Sequence, residues 1–332
     1  MKLSGYTTTR NCISMDYPFE QCIESMLAFC DEVVVMDSSD GSDSTRTKLA
    51  EMQKINPNKL FVYHAEVDWS APNHGVYDGA LKQAAREKCT GDFLWQMDAD
   101  EVVVTTKEKI ESLIAQLGNL ETHHVACLPV VEYWGGKDKI RIDVNPWKWR
   151  ISKNVPNLTH GIPITHRVMH NGLIYAKPGT DGCDFITKDT GMPVPNLNFY
   201  NVNAEHLRQN ALMSEEHIEA YQTWLNAVVK TLPTVYHFSW WSIKGKIEKY
   251  RDFFGVFWKA MYNDHSRNSN VFFNVPWSEV TEQMIEDKAK ELRDNTGGWI
   301  FHTPWDGTKT NHVVLESDIP EVMKKWCEER TV

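Results

Sequence analysis

The first hundred residues alternate between two hydrophobic periods. Met1 to Thr9 reads as a short strand. After Asp16-Tyr17-Pro18, apolar side chains recur at Phe19, Ile23, Met26, Leu27 and Cys30, the spacing of one helix face. Asp16 serves as the predicted cap, with proline in the first turn. Val33-Val34-Val35-Met36 is an unbroken β-branched run that predicts a buried strand ending at Asp37, followed by a polar turn over Ser38 to Ser44. Thr45 to Ile55 reads as a helix, Lys59 to His64 as a strand, and Val76 to Cys89 as a helix with Gly91 just past its end. Phe93 to Met97 is again a strand. Strands separated by helices of this length predict βαβ units and a parallel sheet.

Beyond residue 105 the pattern loosens. Lys107 to Leu117 is helical, with Ile110, Leu113, Ile114 and Leu117 on one face, and His124 to Tyr133 is a strand. Residues 134 to 205 are rich in Gly, Pro, Asn and aromatics and show few clear periods, and a long irregular stretch inside a compact protein is usually functional or mis-assigned. Ser214 to Leu232 predicts a helix capped by Ser214, Thr234 to Trp241 a strand, and Ile243 to Tyr262 and Ser278 to Arg293 two further helices. There is no internal repeat.

One strand poses a chemical question. In FLWQMDADEVVV, Phe93 to Val104, an apolar run ends in Asp98, Asp100 and Glu101. A buried carboxylate is costly unless it is paired or bound to a metal. In open α/β sheets ligands bind outside the carboxyl ends of the strands. Thr7 to Asn11, Asp37 to Asp43 and Asp98 to Glu101 all follow predicted strands and therefore share one edge. Two carboxylates one residue apart at a strand exit suit a hard divalent ion such as Mn²⁺ or Mg²⁺. Such an ion neutralises a diphosphate leaving group. The competing reading is a solvated turn that caps the next helix.

Composition narrows the classes. The 332 residues allow one large or two modest domains. A net charge of −10 and a pI near 5.7 exclude a nucleic-acid backbone as partner, because phosphate contacts need basic clusters. No apolar run approaches the roughly 18 residues of a membrane span, and MKLSGYTTTRNC has no signal-peptide core. The seven cysteines are scattered and never spaced Cys-x-x-Cys, which predicts reduced thiols in a cytoplasmic protein. The 13 Trp and 11 Tyr predict either a tryptophan-rich core or flat platforms for a sugar ring. Trp147 and Trp149, two apart, fit either use if they lie on a strand. The tract from Arg150 to His166, with Lys153, His160 and His166, is either a phosphate or acidic-acceptor site or an ordinary loop.

FLWQMDADEVV and the preceding RNCISMDYPFEQCIESMLAFCDEVVVMDSSDGSDST together resemble family 2 glycosyltransferases with the GT-A fold. The resemblance is clear over residues 3 to 104. It continues more weakly to about 260 through THGIPITHR, KPGTDGCD and VYHFSWWSIKGKIEKYRDFF. It implies an α/β fold: a GT-A (Rossmann-like), mixed and mostly parallel sheet flanked by helices, with a helical C-terminal extension. Residues 1–240 would form the nucleotide-sugar-binding and catalytic domain, with the acceptor side at about 130–240, and 241–332 a helical region. By the resemblance, Thr8, Thr9 and Arg10 lie at the nucleotide, although many members have Asn-Glu where this chain has Arg10-Asn11-Cys12. Asp37 accepts a hydrogen bond from the base. Asp98 lies nearer the ribose and metal, Asp100 ligates the metal, and His237 matches a third ligand. On its own surroundings of Tyr236, Phe238, Trp240 and Trp241, His237 reads equally well as a core histidine.

The implied activity is metal-dependent transfer of a single sugar from a UDP- or GDP-sugar to a glycan or other hydroxyl acceptor, with inversion. The Gln-x-x-Arg-Trp motif of processive synthases is absent. Inversion needs a base for the acceptor hydroxyl, and Asp181 and Asp184 in GTDGCD and Glu132 are the candidates. Other metal-dependent phosphate enzymes fit less well. A nucleotidyltransferase would carry a glycine-rich loop after the first strand, and a sugar phosphatase would place its acid pair on that strand. A non-catalytic carbohydrate-binding protein has no use for three polar clusters on one rim.

Overall fold

The computed structural model describes residues 1–67, 77–142, 147–160, 167–170, 173–176, 185–187, 194, 196–197, 202–254, 272–294, 312–313 and 318–330. The first third is a βαβ array. Strands β1 (Leu3–Thr9), β2 (Glu32–Asp37), β3 (Leu60–His64) and β4 (Phe93–Gln96) pair in parallel in the order β3-β2-β1-β4. They alternate with helices α1 (Phe19–Leu27), α2 (Thr45–Ile55) and α3 (Tyr77–Lys88). Every residue of β2 is buried because both faces of the sheet are covered. Val33 and Val35 share a core with Phe19, Ile23 and Met26 of α1 and Leu49 of α2, whereas Val34 and Met36 pack with Leu81 and Ala85 of α3.

The sheet continues through β5 (Glu101–Val104), β6 (Val125–Glu132) and β8 (Trp147–Lys153), with helix α4 (Lys107–Asn119) between β5 and β6 and the short β7 (Ile140–Arg141) before β8. β9 (Leu158–His160) pairs with β12 (Phe185–Thr187), and β10 (Arg167–His170) with β11 (Leu173–Ala176). β13 (Asn196–Leu197) joins β6, helices α5 (Val202–Met213) and α6 (Ile218–Thr231) follow, and β14 (Thr234–His237) inserts between β6 and β5. The main order is thus β3-β2-β1-β4-β8-β6-β14-β5. Only β8 and β5 run against their neighbours. This is the mixed, mostly parallel α/β sheet expected from the sequence. The helical C-terminal part comprises α7 (Ile243–Lys249), α8 (Glu282–Asp294) and α9 (Lys324–Glu328), with β15 (His312–Val313) returning to β7. Met323, Trp326 and Cys327 share a core with Val131, Tyr236 and Phe238. Among the described residues no helix is long and apolar enough to cross a membrane. The six described cysteines are buried and form no disulfide.

Three expectations change. Asp16 does not cap α1: it lies in left-handed backbone at φ 50°, and its carboxylate accepts from Arg330 Nε at 2.7 Å, joining the C-terminus to the first loop. Ser214 does not cap α6, because a 3₁₀ turn, Glu215–His217, intervenes. The irregular region contains β8, an interior strand. Its sequence WKWRISK hides it because Lys148 and Arg150 interrupt the apolar pattern. Among the described residues most tryptophans serve as core: Trp95, Trp134, Trp147, Trp240, Trp241 and Trp326 are all buried. Trp147 packs near Trp224 with ring centroids 6.2 Å apart, and half-buried Trp149 packs against the cluster of Val125, Leu158 and Val194.

At the opposite edge from the strand exits, Glu32 ties the array together. It accepts from Ser4 Oγ at 2.6 Å, from the Thr90 backbone N–H at 2.6 Å and from Lys2 Nζ at 2.9 Å. Burial raises its pKa, but these donors outweigh burial and bring it down to about 2. A depressed carboxyl contributes stability above its unfolded pKa of about 4.3 and loses it as pH falls towards 2. Glu32→Gln should therefore lower stability at pH 7 by about 1–3 kcal/mol, and the gap to wild type should close between roughly pH 4.5 and 2 in pH-dependent denaturant melts. Gly91 faces backbone: a Cβ there would lie 2.8 Å from Ser4 N and 2.9 Å from Lys2 O. Gly91→Ala should cost about 1–3 kcal/mol in the same melts, since neither contact can rotate away.

Candidate active site

Strand register builds one polar rim. Thr9, Asp37 and His64 lie side by side at the carboxyl ends of β1, β2 and β3. Glu101, His237 and Glu132 are likewise aligned across β5, β14 and β6. The Asp98–Asp100 turn joins β4 to β5 between these groups.

At one end of the rim, Asp37 is fully buried. Its Oδ1 accepts from Thr9 Oγ1 at 2.8 Å and Ser39 Oγ at 2.7 Å, and its Oδ2 lies 3.1 Å from His64 Nδ1 and 3.4 Å from Arg46 Nε. Thr8 and Arg10, on either side of Thr9 in sequence, are half-buried. Asp37 thus holds strand ends together as well as lying on the rim.

In the middle, the acids that end β4 find cations. Asp98 Oδ1 accepts from Lys82 Nζ at 2.9 Å and Gln96 Nε2 at 2.9 Å, and Oδ2 from Arg150 Nη2 at 2.9 Å. Burial raises the Asp98 pKa, but Lys82, Arg150 and Lys148 hold it well below the usual carboxylate range. Glu101, fully buried, accepts from Arg150 Nη2 at 2.5 Å and Lys148 Nζ at 3.2 Å. These partners are what sequence reasoning missed. A signal existed: Lys148 and Arg150 stand two apart, so on a strand they share one face, and an acidic strand exit needs such a pair.

At the far end, Asp100 is buried, with Oδ2 3.2 Å from His237 Nε2. His237 Nδ1 lies 2.7 Å from Glu132 Oε2. Burial disfavours the imidazolium, but Glu132 and Asp100 outweigh it and raise His237 to about 9. Burial likewise raises both acids, and His237 overcomes it, leaving Glu132 near 2 and Asp100 well below its ordinary value. The histidine therefore bridges two carboxylates rather than packing as a core residue alone. Lys246 is buried, contacts Ser239 Oγ and adds positive charge near Asp100.

Among the described residues no three His, Cys, Asp or Glu side chains converge as a complete metal site. Asp100 and His237 Nε2 do converge, and Glu132 fixes the ring from behind in the manner of an outer-shell partner. Two protein donors suit an ion whose remaining ligands are diphosphate oxygens and water. Asp98 fits less well than expected as a metal ligand, because both its oxygens are engaged by Lys82, Gln96 and Arg150. Glu132 fits poorly as the acceptor base, because its carboxylate is already committed to His237 Nδ1 at 2.7 Å. Asp181 and Asp184 lie outside the described residues, as do His166 and the side chain of His160.

A sequence model described as glycosyl transferase family 2 matches residues 10–177, just over half of the chain. Curated protein sequences give no match. Among solved structures, S. aureus TarS 1–349 aligns at 16% identity over 94% of this chain and 97% of that one, with a TM-score of 0.34. The mannosyltransferase PcManGT from Pyrobaculum calidifontis, in complex with GDP-Man and Mn²⁺, aligns at 14% identity over 46% and 44%, with a TM-score of 0.32. Glucosyl-3-phosphoglycerate synthase from Mycobacterium tuberculosis aligns at 15% over 41% and 44%, with a TM-score of 0.25. These similarities are distant and transfer no residue roles. The sequence match covers β1's exit, both acidic rim segments and Arg150, and on that ground the chain belongs to glycosyl transferase family 2.

Proposed function

We propose that this glycosyltransferase moves a single sugar from a UDP- or GDP-sugar to a hydroxyl of a glycan or similar acceptor, with inversion and with Mn²⁺ or Mg²⁺ as cofactor. The observation that carries the reading is the Asp100–His237–Glu132 chain, in which two donors converge on the rim and a third group fixes the imidazole. When bound there, a divalent ion supplies positive charge against the diphosphate as it leaves. The protein's own groups divide the remaining work. Asp100 and His237 Nε2 hold the cation, and Glu132 orients His237. Thr8, Thr9, Arg10 and Asp37 face the nucleoside end. Asp98, neutralised by Lys82 and Arg150, lies between and serves the ribose. Lys246 adds charge beside Asp100. The proton from the acceptor hydroxyl goes to Asp181 or Asp184 in GTDGCD. Residues 1–240 carry this chemistry, and 241–332 brace it through α7 and the C-terminal contact to Asp16.

Isothermal titration with UDP and with GDP, each with and without Mn²⁺, tests the reading. One nucleotide should bind only with metal. Asp100→Ala should weaken that binding by more than the roughly 10- to 100-fold typical of an outer-shell change. Absence of nucleotide binding by the wild type under every condition would sink the proposal. Glu132→Gln separates orienting from base catalysis. As an orienting group its loss should weaken Mn²⁺ affinity about 10- to 100-fold and leave kcat at saturating metal within a few-fold. A fall in kcat of about 100- to 10,000-fold at saturating metal would mark Glu132 as the base instead.

A further inference from the structure

The cation that organises the acidic turn from behind is Arg150. It comes from β8, antiparallel to β4, where Ile151 stands opposite Trp95. Arg150 is 1% exposed. Nη1 donates to Gln96 Oε1 at 2.5 Å, and Nη2 donates to Asp98 Oδ2 at 2.9 Å and Glu101 Oε1 at 2.5 Å. The three acceptors are also linked to one another. Gln96 Nε2 donates to Asp98 Oδ1 at 2.9 Å, and the Asp98 backbone N–H donates to Glu101 Oε2 at 3.1 Å. One planar fork thus closes a ring of hydrogen bonds around residues 96 to 101. Asp100 lies inside that span, and its backbone carbonyl accepts from the Phe238 N–H at 2.9 Å.

We propose that Arg150 is a positioning residue for donor binding, acting by fixing the Asp98 carboxylate. This rests on the function proposed above. Two alternatives explain Arg150 less well. As a stability element alone, a buried ion pair is a weak choice, because apolar side chains of similar size often serve as well or better. As a simple charge, lysine would suffice, and Lys148 and Lys82 already supply two. Arginine adds a rigid fork that reaches three acceptors in fixed directions. The consequence is specific: Asp98 is held as a preset acceptor with its charge balanced, and the cation is left to Asp100 and His237.

The test is a double-mutant cycle on nucleotide affinity with saturating Mn²⁺, using wild type, Arg150→Lys, Asp98→Asn and the pair. Folding is checked by circular dichroism and thermal melting. Arg150→Lys keeps the charge and loses the fork. It should fold and bind nucleotide at least about tenfold more weakly, the lower end of outer-shell effects. In the Asp98→Asn background it should add little, because it acts through Asp98. Wild-type affinity in Arg150→Lys, or effects that simply multiply in the pair, would overturn the assignment. If Arg150→Lys does not fold, the charge-balanced pair Arg150→Gln with Glu101→Gln carries the same cycle. No nucleotide binding by the wild type would instead overturn the function on which the inference rests, and the wild-type arm keeps the two failures apart.

Discussion

The structure depends on neutralising carboxylates that are buried together at one edge of a sheet. Asp98, Asp100, Glu101 and Glu132 converge there, and none could remain charged in the interior without partners. Arg150 and Lys148 come from β8, His237 from β14, Lys82 from α3 and Lys246 from α7. This requirement accounts for the break in the parallel order. A strand running against its neighbours enters between β4 and β6 and carries two cations on alternate positions to the acids' level. Glu132 and Glu101 then flank His237 by register alone.

The same arrangement divides the rim into unlike regions. Around Asp37 the partners are mostly hydroxyls and a histidine, short groups that hold the loop ends of β1, β2 and β3. Around Asp98 the partners are Lys82 and Arg150, which leave the carboxylate charged but balanced. Around Asp100 the main partner is His237, whose ring lies between two acids. A divalent ion can take over that role, whereas at Asp98 it would have to displace two cations. The proposed division of labour between ribose and metal therefore follows from which cations the fold has already committed.

Much of this was legible in the sequence, and the limits have physical causes. The βαβ array was readable because its strands are buried on both faces and its helices keep one apolar face, so EVVVMD and the α1 pattern declare themselves. Thr45–Ile55 was read to the residue. β8 was not readable as an interior strand, since Lys148 and Arg150 disguise it and their partners lie some 50 positions away. His237 was ambiguous for a similar reason: its neighbours Tyr236 and Phe238 are true core residues, and only the register with Glu132 separates it from them. Trp147 was ambiguous because a tryptophan on a strand can face a core or a sugar, and contact with Trp224 decides it for the core.

The most direct test of the account is a crystal structure of the chain grown with UDP and Mn²⁺, with the metal located by its anomalous scattering. The account predicts a manganese peak bound by Asp100 and His237 Nε2 and by diphosphate oxygens, with Glu132 still on His237 Nδ1 and Asp98 still on Arg150 and Lys82. Nucleotide bound with no metal at Asp100, or manganese that draws Asp98 away from Arg150, would contradict it.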